Sequence, residues 1–184
     1  MSPSPVIERI RRRTGEAGTA VTWAVLSFVI LAGCGAIGLA LALPWLFPSM
    51  GPTVMLMFGS PEHPSARARN AAVGHSIGIV VGIGCLFLTG MNGHPSAPQA
   101  GLTTGYVVGG ALSVAVTMLL LQLLKLPHAP AGATTMIISL GVIATPLGIL
   151  SMAGALALTI LAASALAWLL WRPNRPGEGT QTAQ

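Results

Sequence analysis

Four stretches of the chain, Ala20–Leu43, Ala71–Gly90, Leu102–Leu124 and Pro146–Trp171, carry no charged side chain and are dominated by apolar residues. A helix of about 20 such residues, rising ~1.5 Å per residue, covers the ~30 Å hydrocarbon core of a bilayer. A composition of 53% hydrophobic and 7% charged residues excludes an ordinary soluble domain. The chain therefore reads as an integral membrane protein with four full transmembrane helices. The first run is too long for the apolar part of a signal peptide and has no small-x-small cleavage site followed by polar sequence.

The side chains outside these runs exclude several chemistries. Cys34 and Cys85 fall inside predicted spans and form no CxxC pair, so they read as free packing residues. His63, His75, His94 and His128 show no metal-ligand spacing, and neither a metal nor a cofactor is expected. There is no Asp, and Glu8, Glu16, Glu62 and Glu178 all lie outside the apolar runs, which leaves no carboxylate for intramembrane catalysis. No nucleophile, base and orienting acid can be assembled, so the chain is not expected to be an enzyme. The net charge of +5 comes from residues beside span ends, where orientation in the membrane explains it, and no nucleic-acid partner is expected.

Those charges constrain the topology. Basic residues occur at Arg9, Arg11, Arg12 and Arg13, at Arg67 and Arg69, at Lys125, and at Arg172 and Arg175, whereas Met91–Gly101 has none. Four crossings alone would put Arg67, Arg69 and Lys125 outside and the neutral loop inside, against the positive-inside bias. Two more crossings resolve the conflict. Residues 44–60 and 127–145 each combine an extended Pro-containing piece with a short apolar helix, and each reaches roughly 35 Å. All basic clusters and both termini then become cytoplasmic, as in a bacterial inner or plasma membrane protein. Trp23, Trp168 and Trp171 fall at the inner interface, with Trp45 and Tyr106 near the outer one.

The two broken spans are copies of one motif. GPTVMLM (Gly51–Met57) and GATTMII (Gly132–Ile138) share Gly, Thr and Met at an offset of 132 − 51 = 81 residues, and the preceding helices, starting at Val21 and Leu102, share that offset. Three crossings per copy make the second enter from the opposite side. The fold class is thus an all-α membrane protein with four full helices and two broken spans, each an extended segment plus a half-helix, in a 3+3 inverted-topology repeat. Its segments are a disordered basic region 1–18, repeat 1 over 19–90, an external loop 91–101, repeat 2 over 102–172 and a disordered tail 173–184.

Proline or glycine at the head of an apolar run signals a helix start, so half-helices begin at Gly51-Pro52-Thr53 and Gly132-Ala133-Thr134. In an inverted pair their N-termini converge near the midplane, and free N–H groups at positive dipole ends suit an anion. Ser49, Gly51, Pro52, Thr53, Gly132, Ala133, Thr134 and Thr135 are the candidate binding residues, with glycines for close approach and hydroxyls as uncharged donors. The competing reading makes these segments kinked connectors whose hydroxyls bond back to their own helices.

Five further residues are candidates for gating or coupling. His75, about one turn inside an apolar run, is either a proton-coupling group or a neutral imidazole donating to a carbonyl. His128 opens the second broken span and either contacts substrate or ties down the loop. Arg67, Arg69 and Asn70 form either a basic vestibule or topology anchors. Gly74, Gly78 and Gly82, like Gly105 and Gly109, recur at four-residue spacing and mark seams for close helix packing, one of which is expected to serve a homo-oligomer.

The segments FPSMGPT, HPSARARN (His63–Asn70), GHSIG (Gly74–Gly78) and HAPAGAT (His128–Thr134), in this order, resemble the HPP family of small integral membrane proteins. The likeness runs from about Ala20 to Trp171. The family's His-Pro-Pro element stands here as His128-Ala129-Pro130 and its PRN element as Ala68-Arg69-Asn70. Members in cyanobacteria and plastids are implicated in nitrite transport, so the resemblance implies a small-anion transporter; the family is usually described with four transmembrane segments. The expected function is a transporter or facilitator of a small inorganic anion, nitrite first, with a passive anion channel and a non-transporting membrane scaffold as alternatives.

Overall fold

The computed structural model describes residues 5–171, with side chains described from Arg9 to Leu170. The described residues form helices and connecting turns: α1 (Pro5–Leu41), α2 (Met50–Gly59), α3 (Ala68–Leu88), α4 (Ala97–Ala100), α5 (Thr104–Leu123), α6 (Ala131–Ser139) and α7 (Pro146–Trp171), with a 3₁₀ turn at Pro64–Ala66. Four of them, α1, α3, α5 and α7, are long and apolar enough to cross a membrane. Large apolar side chains such as Phe28, Leu39, Val80, Leu88, Met118 and Leu161 stand exposed on these helices. That outer surface suits hydrocarbon rather than water.

Glycine and a left-handed cap decide where the helices stop. After α3 the amides of Gly90 and Met91 bond to the carbonyls of Phe87 and Leu86, and after α6 those of Gly141 and Val142 bond to Ile138 and Ile137. Both are Schellman caps with glycine at positive φ, 69° and 71°. Helices α1 and α5 end in the same way but place Ala42 (φ 53°) and Lys125 (φ 54°) at the left-handed position. The cap at Gly141 stops α6 at Ser139, inside the segment 127–145.

At the other end, residues 1–18 were expected to lack structure, yet α1 begins at Pro5 and departs from helical geometry inside that stretch only at Gly15 (φ 68°). Pro5 in the first turn supports a helix start there. The expected tail 173–184 lies outside the described residues, as do Arg172 and Arg175.

The two short helices start at equivalent points of the repeated motif. Ser49 and Pro130 are the N-caps, and Met50 and Ala131 the first helical residues, again 131 − 50 = 81 apart. Pro52 is consequently the third helical residue rather than the first, where its missing N–H still falls among the unpaired donors of the first turn.

Packing follows the same equivalence. Helix α2 packs on α1 and α7, and α6 packs on α5 and α3; α1 meets α7 as α5 meets α3, and α3 meets α7 directly. Exchanging α1 with α5, α2 with α6 and α3 with α7 leaves this pattern unchanged. Each short helix thus docks on a long helix from the other half of the chain.

The α2 side of the core is apolar: Met50, Val54, Met57 and Phe58 lie at helical spacing and cluster with Met152, Ala155 and Leu156 of α7. Trp23 stacks on Phe58 at 6.1 Å between ring centroids. The α6 side instead uses the glycine seam. A Cβ at Gly78 would lie 2.8 Å from the carbonyl oxygen of Ala131, and one at Gly82 would lie 2.8 Å from that of Thr135. Only glycine allows α3 and α6 to come this close. Tyr106, expected at the outer interface, is buried with Leu86 and Ala97, and its hydroxyl donates to the Pro95 carbonyl at 2.8 Å. That bond satisfies the polar tip that would otherwise have sought water.

Candidate functional site

The close α3–α6 seam draws the repeated threonines, His75 and His128 into one buried cluster. Thr53, four residues into α2, and Thr134, four residues into α6, contact the same ring from opposite sides: Thr53 Oγ1 is 3.0 Å from His75 Nε2, and Thr134 Oγ1 is 2.8 Å from His75 Nδ1. His128 closes the cluster, its Nε2 3.2 Å from His75 Nε2 and its Nδ1 2.9 Å from the Ser65 carbonyl oxygen. Gly74 makes room for it, since a Cβ there would lie 3.0 Å from His128 Cβ. Thr53, His75, His128 and Thr134 are all at most 2% exposed.

For neutral rings, the partners of this cluster assign its protons, starting from one carbonyl. Ser65 O can only accept, so His128 Nδ1 carries hydrogen and, in a neutral ring, Nε2 is bare. The 3.2 Å contact between the rings then requires hydrogen on His75 Nε2. His75 Nδ1 is left bare and accepts from the Thr134 hydroxyl. Thr53 donates to the Ser49 carbonyl at 2.8 Å, so its oxygen takes a second branch of the His75 Nε2–H bond. Every ring nitrogen is satisfied without a formal charge.

The 3₁₀ turn that presents Ser65 is itself tied down. Its N-cap His63 accepts from the Ser65 amide at 3.2 Å, and Asn70 Nδ2 donates to the Pro64 carbonyl at 2.9 Å. Buried Asn70 therefore braces the site, whereas Arg67 and Arg69 are exposed beside it.

Three buried hydroxyls close to this framework have no partner: Ser49 Oγ, Thr117 Oγ1 and Thr135 Oγ1. Thr117, Gln122, Ser65, His128 and Gly132 line a cavity of about 250 Å³ between α5 and the start of α6. A second cavity of about 120 Å³, between α3 and α7, is bordered by His75 and Ser76. The imidazole pair thus has one ring on each cavity. A larger groove of about 590 Å³ along residues 32–46 is apolar and includes no residue of the cluster.

The expected residues divide accordingly. Thr53, Thr134, His75 and His128 come together; Gly132 and His128 line the larger cavity; Ser49 and Thr135 are buried; Ala133 and Gly51 are half-buried and Pro52 is exposed. The expected bare amides at the second half-helix are absent. The amides of Ala131, Gly132, Ala133 and Thr134 bond to the carbonyls of His128, Ala129, Pro130 and Pro130, because the HAP turn winds directly into the helix. Sequence reasoning missed Ser65, which acts through its backbone, and Thr117, a hydroxyl inside the apolar run of α5.

A family model for the HPP transmembrane region matches residues 12–176. The chain belongs to the HPP family of membrane proteins. The match takes in α1 from Arg12 onward, all of α3, α5 and α7, and the whole histidine–threonine cluster, so the cluster lies inside the family's membrane region. The chain is also similar to a transmembrane protein of Dictyostelium discoideum, 30% identical over 100 residues, or 53% of this chain and 30% of that protein. The matched region spans under a third of that relative's length. No solved structure matches.

Proposed function

We propose that this HPP-family protein transports a small inorganic anion across the membrane, with nitrite the first substrate to try. The observation that carries the reading is the meeting of Thr53 and Thr134 on His75, which buries polar groups from equivalent points of two copies of one motif together inside the helix bundle. An intramembrane polar cluster without a carboxylate favours negative cargo over cations. The larger cavity has room for a small ion with some of its water, at ~30 Å³ per water.

In the same reading the short helices belong to broken spans, the two halves form a 3+3 inverted repeat, both termini are cytoplasmic, and alternating access arises from one half rocking on the other. The exchange-invariant packing of the helices supports this arrangement. The protein is no enzyme, and it works as a homo-oligomer. Purified protein in liposomes, assayed with nitrite, nitrate, formate and chloride, should show saturable flux of at least one. Absence of saturable flux for all four would remove the transport reading, and currents beyond a carrier's turnover would convert it to a channel.

A further inference from the structure

The neutral cluster poses a charge problem for any anion. Its ring N–H groups are already used, His128 Nδ1–H on Ser65 and His75 Nε2–H on His128 and Thr53, and the first amides of α6 are bonded to the turn before it. Ser49, Thr117 and Thr135 offer hydroxyls but no charge. A desolvated anion needs a counter-charge or a full ring of donors. The missing charge can come from solution.

We propose that one proton enters the His75–His128 pair with each anion, making the pair the coupling site of a proton–anion symport. This rests on the transport reading above and names its second cargo. The proton bonds to the bare Nδ1 of His75 as an O–H bond of its water carrier breaks, and the Thr134 hydroxyl turns from donor to acceptor. The Nε2 proton of His75 can then pass over 3.2 Å to His128 Nε2, which shares one positive charge between the rings and therefore between the two cavities. Release of the proton reverses the same bond changes, with no oxidation or reduction.

The surroundings leave the anion as the counter-ion. Helices α2, α6 and α7 carry no ionisable side chain within their described ranges; α3 brings Arg69, His75 and Cys85, and α5 brings Tyr106, which is bound to Pro95. The 3₁₀ turn is flanked by Glu62, His63 and Arg67, and Lys125 follows α5. A second proton would set two like charges 3.2 Å apart, so the pair holds one.

The test uses the full chain in bilayers with ¹⁵N-labelled imidazoles, His63 and His94 being assigned by substitution. In the anion-free protein the spectrum should show hydrogen on His128 Nδ1 and His75 Nε2 and a bare His75 Nδ1. Adding nitrite or nitrate in weak buffer should remove one proton from solution per chain occupied, and His128→Gln should abolish that uptake. In vesicles clamped at zero potential, with protein-free vesicles subtracted, an acidic exterior should speed anion entry at least tenfold. Anion binding or flux with no proton uptake overturns the coupling and leaves the transport reading standing. Uptake that persists in a His75→Gln/His128→Gln double variant also overturns it. If no anion binds or crosses, both fall together.

Discussion

Replacing Gly78 with alanine tests whether the α3–α6 seam sets the geometry of the polar cluster. The added Cβ would lie 2.8 Å from the Ala131 carbonyl oxygen, 3.4 Å from the Thr135 nitrogen and 3.5 Å from Thr134 Cβ. Reaching an ordinary 3.4 Å contact with that carbonyl requires α6 to retreat by about 3.4 − 2.8 = 0.6 Å. The closest obstacle is backbone, which cannot rotate away as a flexible side chain does. Overpacking of this kind costs about 1–3 kcal/mol. The same shift would stretch the 2.8 Å Thr134–His75 bond beyond 3 Å.

Gly84→Ala is the matched control, because the same substitution in the same helix meets nothing within 4 Å. Its helix-propensity gain is at most ~1 kcal/mol, and smaller where the denatured chain stays helical. Unfolding in mixed micelles, followed by tryptophan fluorescence, should separate the two variants by about 1–3 kcal/mol. The ¹⁵N spectrum should show a weakened bond at His75 Nδ1 in Gly78→Ala alone. Equal stability within ~0.5 kcal/mol, with unchanged imidazole signals, would refute the claim that close helix approach builds the site.

Thr134→Val keeps the shape but removes the donor to His75 Nδ1, and should cost about 1–3 kcal/mol and most of the anion flux, while Thr134→Ser retains both. Lys125→Gly relieves a left-handed residue at an exposed Schellman cap and should raise stability by about 1 kcal/mol; a lower unfolding midpoint would show that the lysine contributes something else there. Tyr106→Phe frees the Pro95 carbonyl, costs about 1 kcal/mol, and should accelerate amide exchange in residues 93–101 without altering the spectra of His75 and His128.

The long helices were legible because about 20 uncharged residues in lipid leave the backbone little choice. The starts of α2 and α6 were legible from Gly51 and Gly132 in a repeated motif, and the close-packing role of Gly74, Gly78 and Gly82 from their spacing. The meeting of His75 with His128 was not, since it depends on the chain folding back across a separation of 53 positions and on Gly74 leaving room for the ring. The state of the α6 amides was equally hidden. His128-Ala129-Pro130 reads as a break, and only the wound turn reveals that its carbonyls consume those donors. Ser65 contributes a backbone oxygen, which no side-chain pattern announces.

The crosswise docking of the short helices has a consequence for how such a chain is made. When the first three helices leave the ribosome, His75 already sits in the bilayer while the threonine that will satisfy its Nδ1, 59 residues further along the chain, has yet to join it there. Until then the nascent half holds a ring nitrogen open in oil, so a product terminated before α6 should be short-lived, as pulse-chase of a chain ending at residue 101 would reveal. Supplying the second half as a separate polypeptide in the same membrane should rescue it.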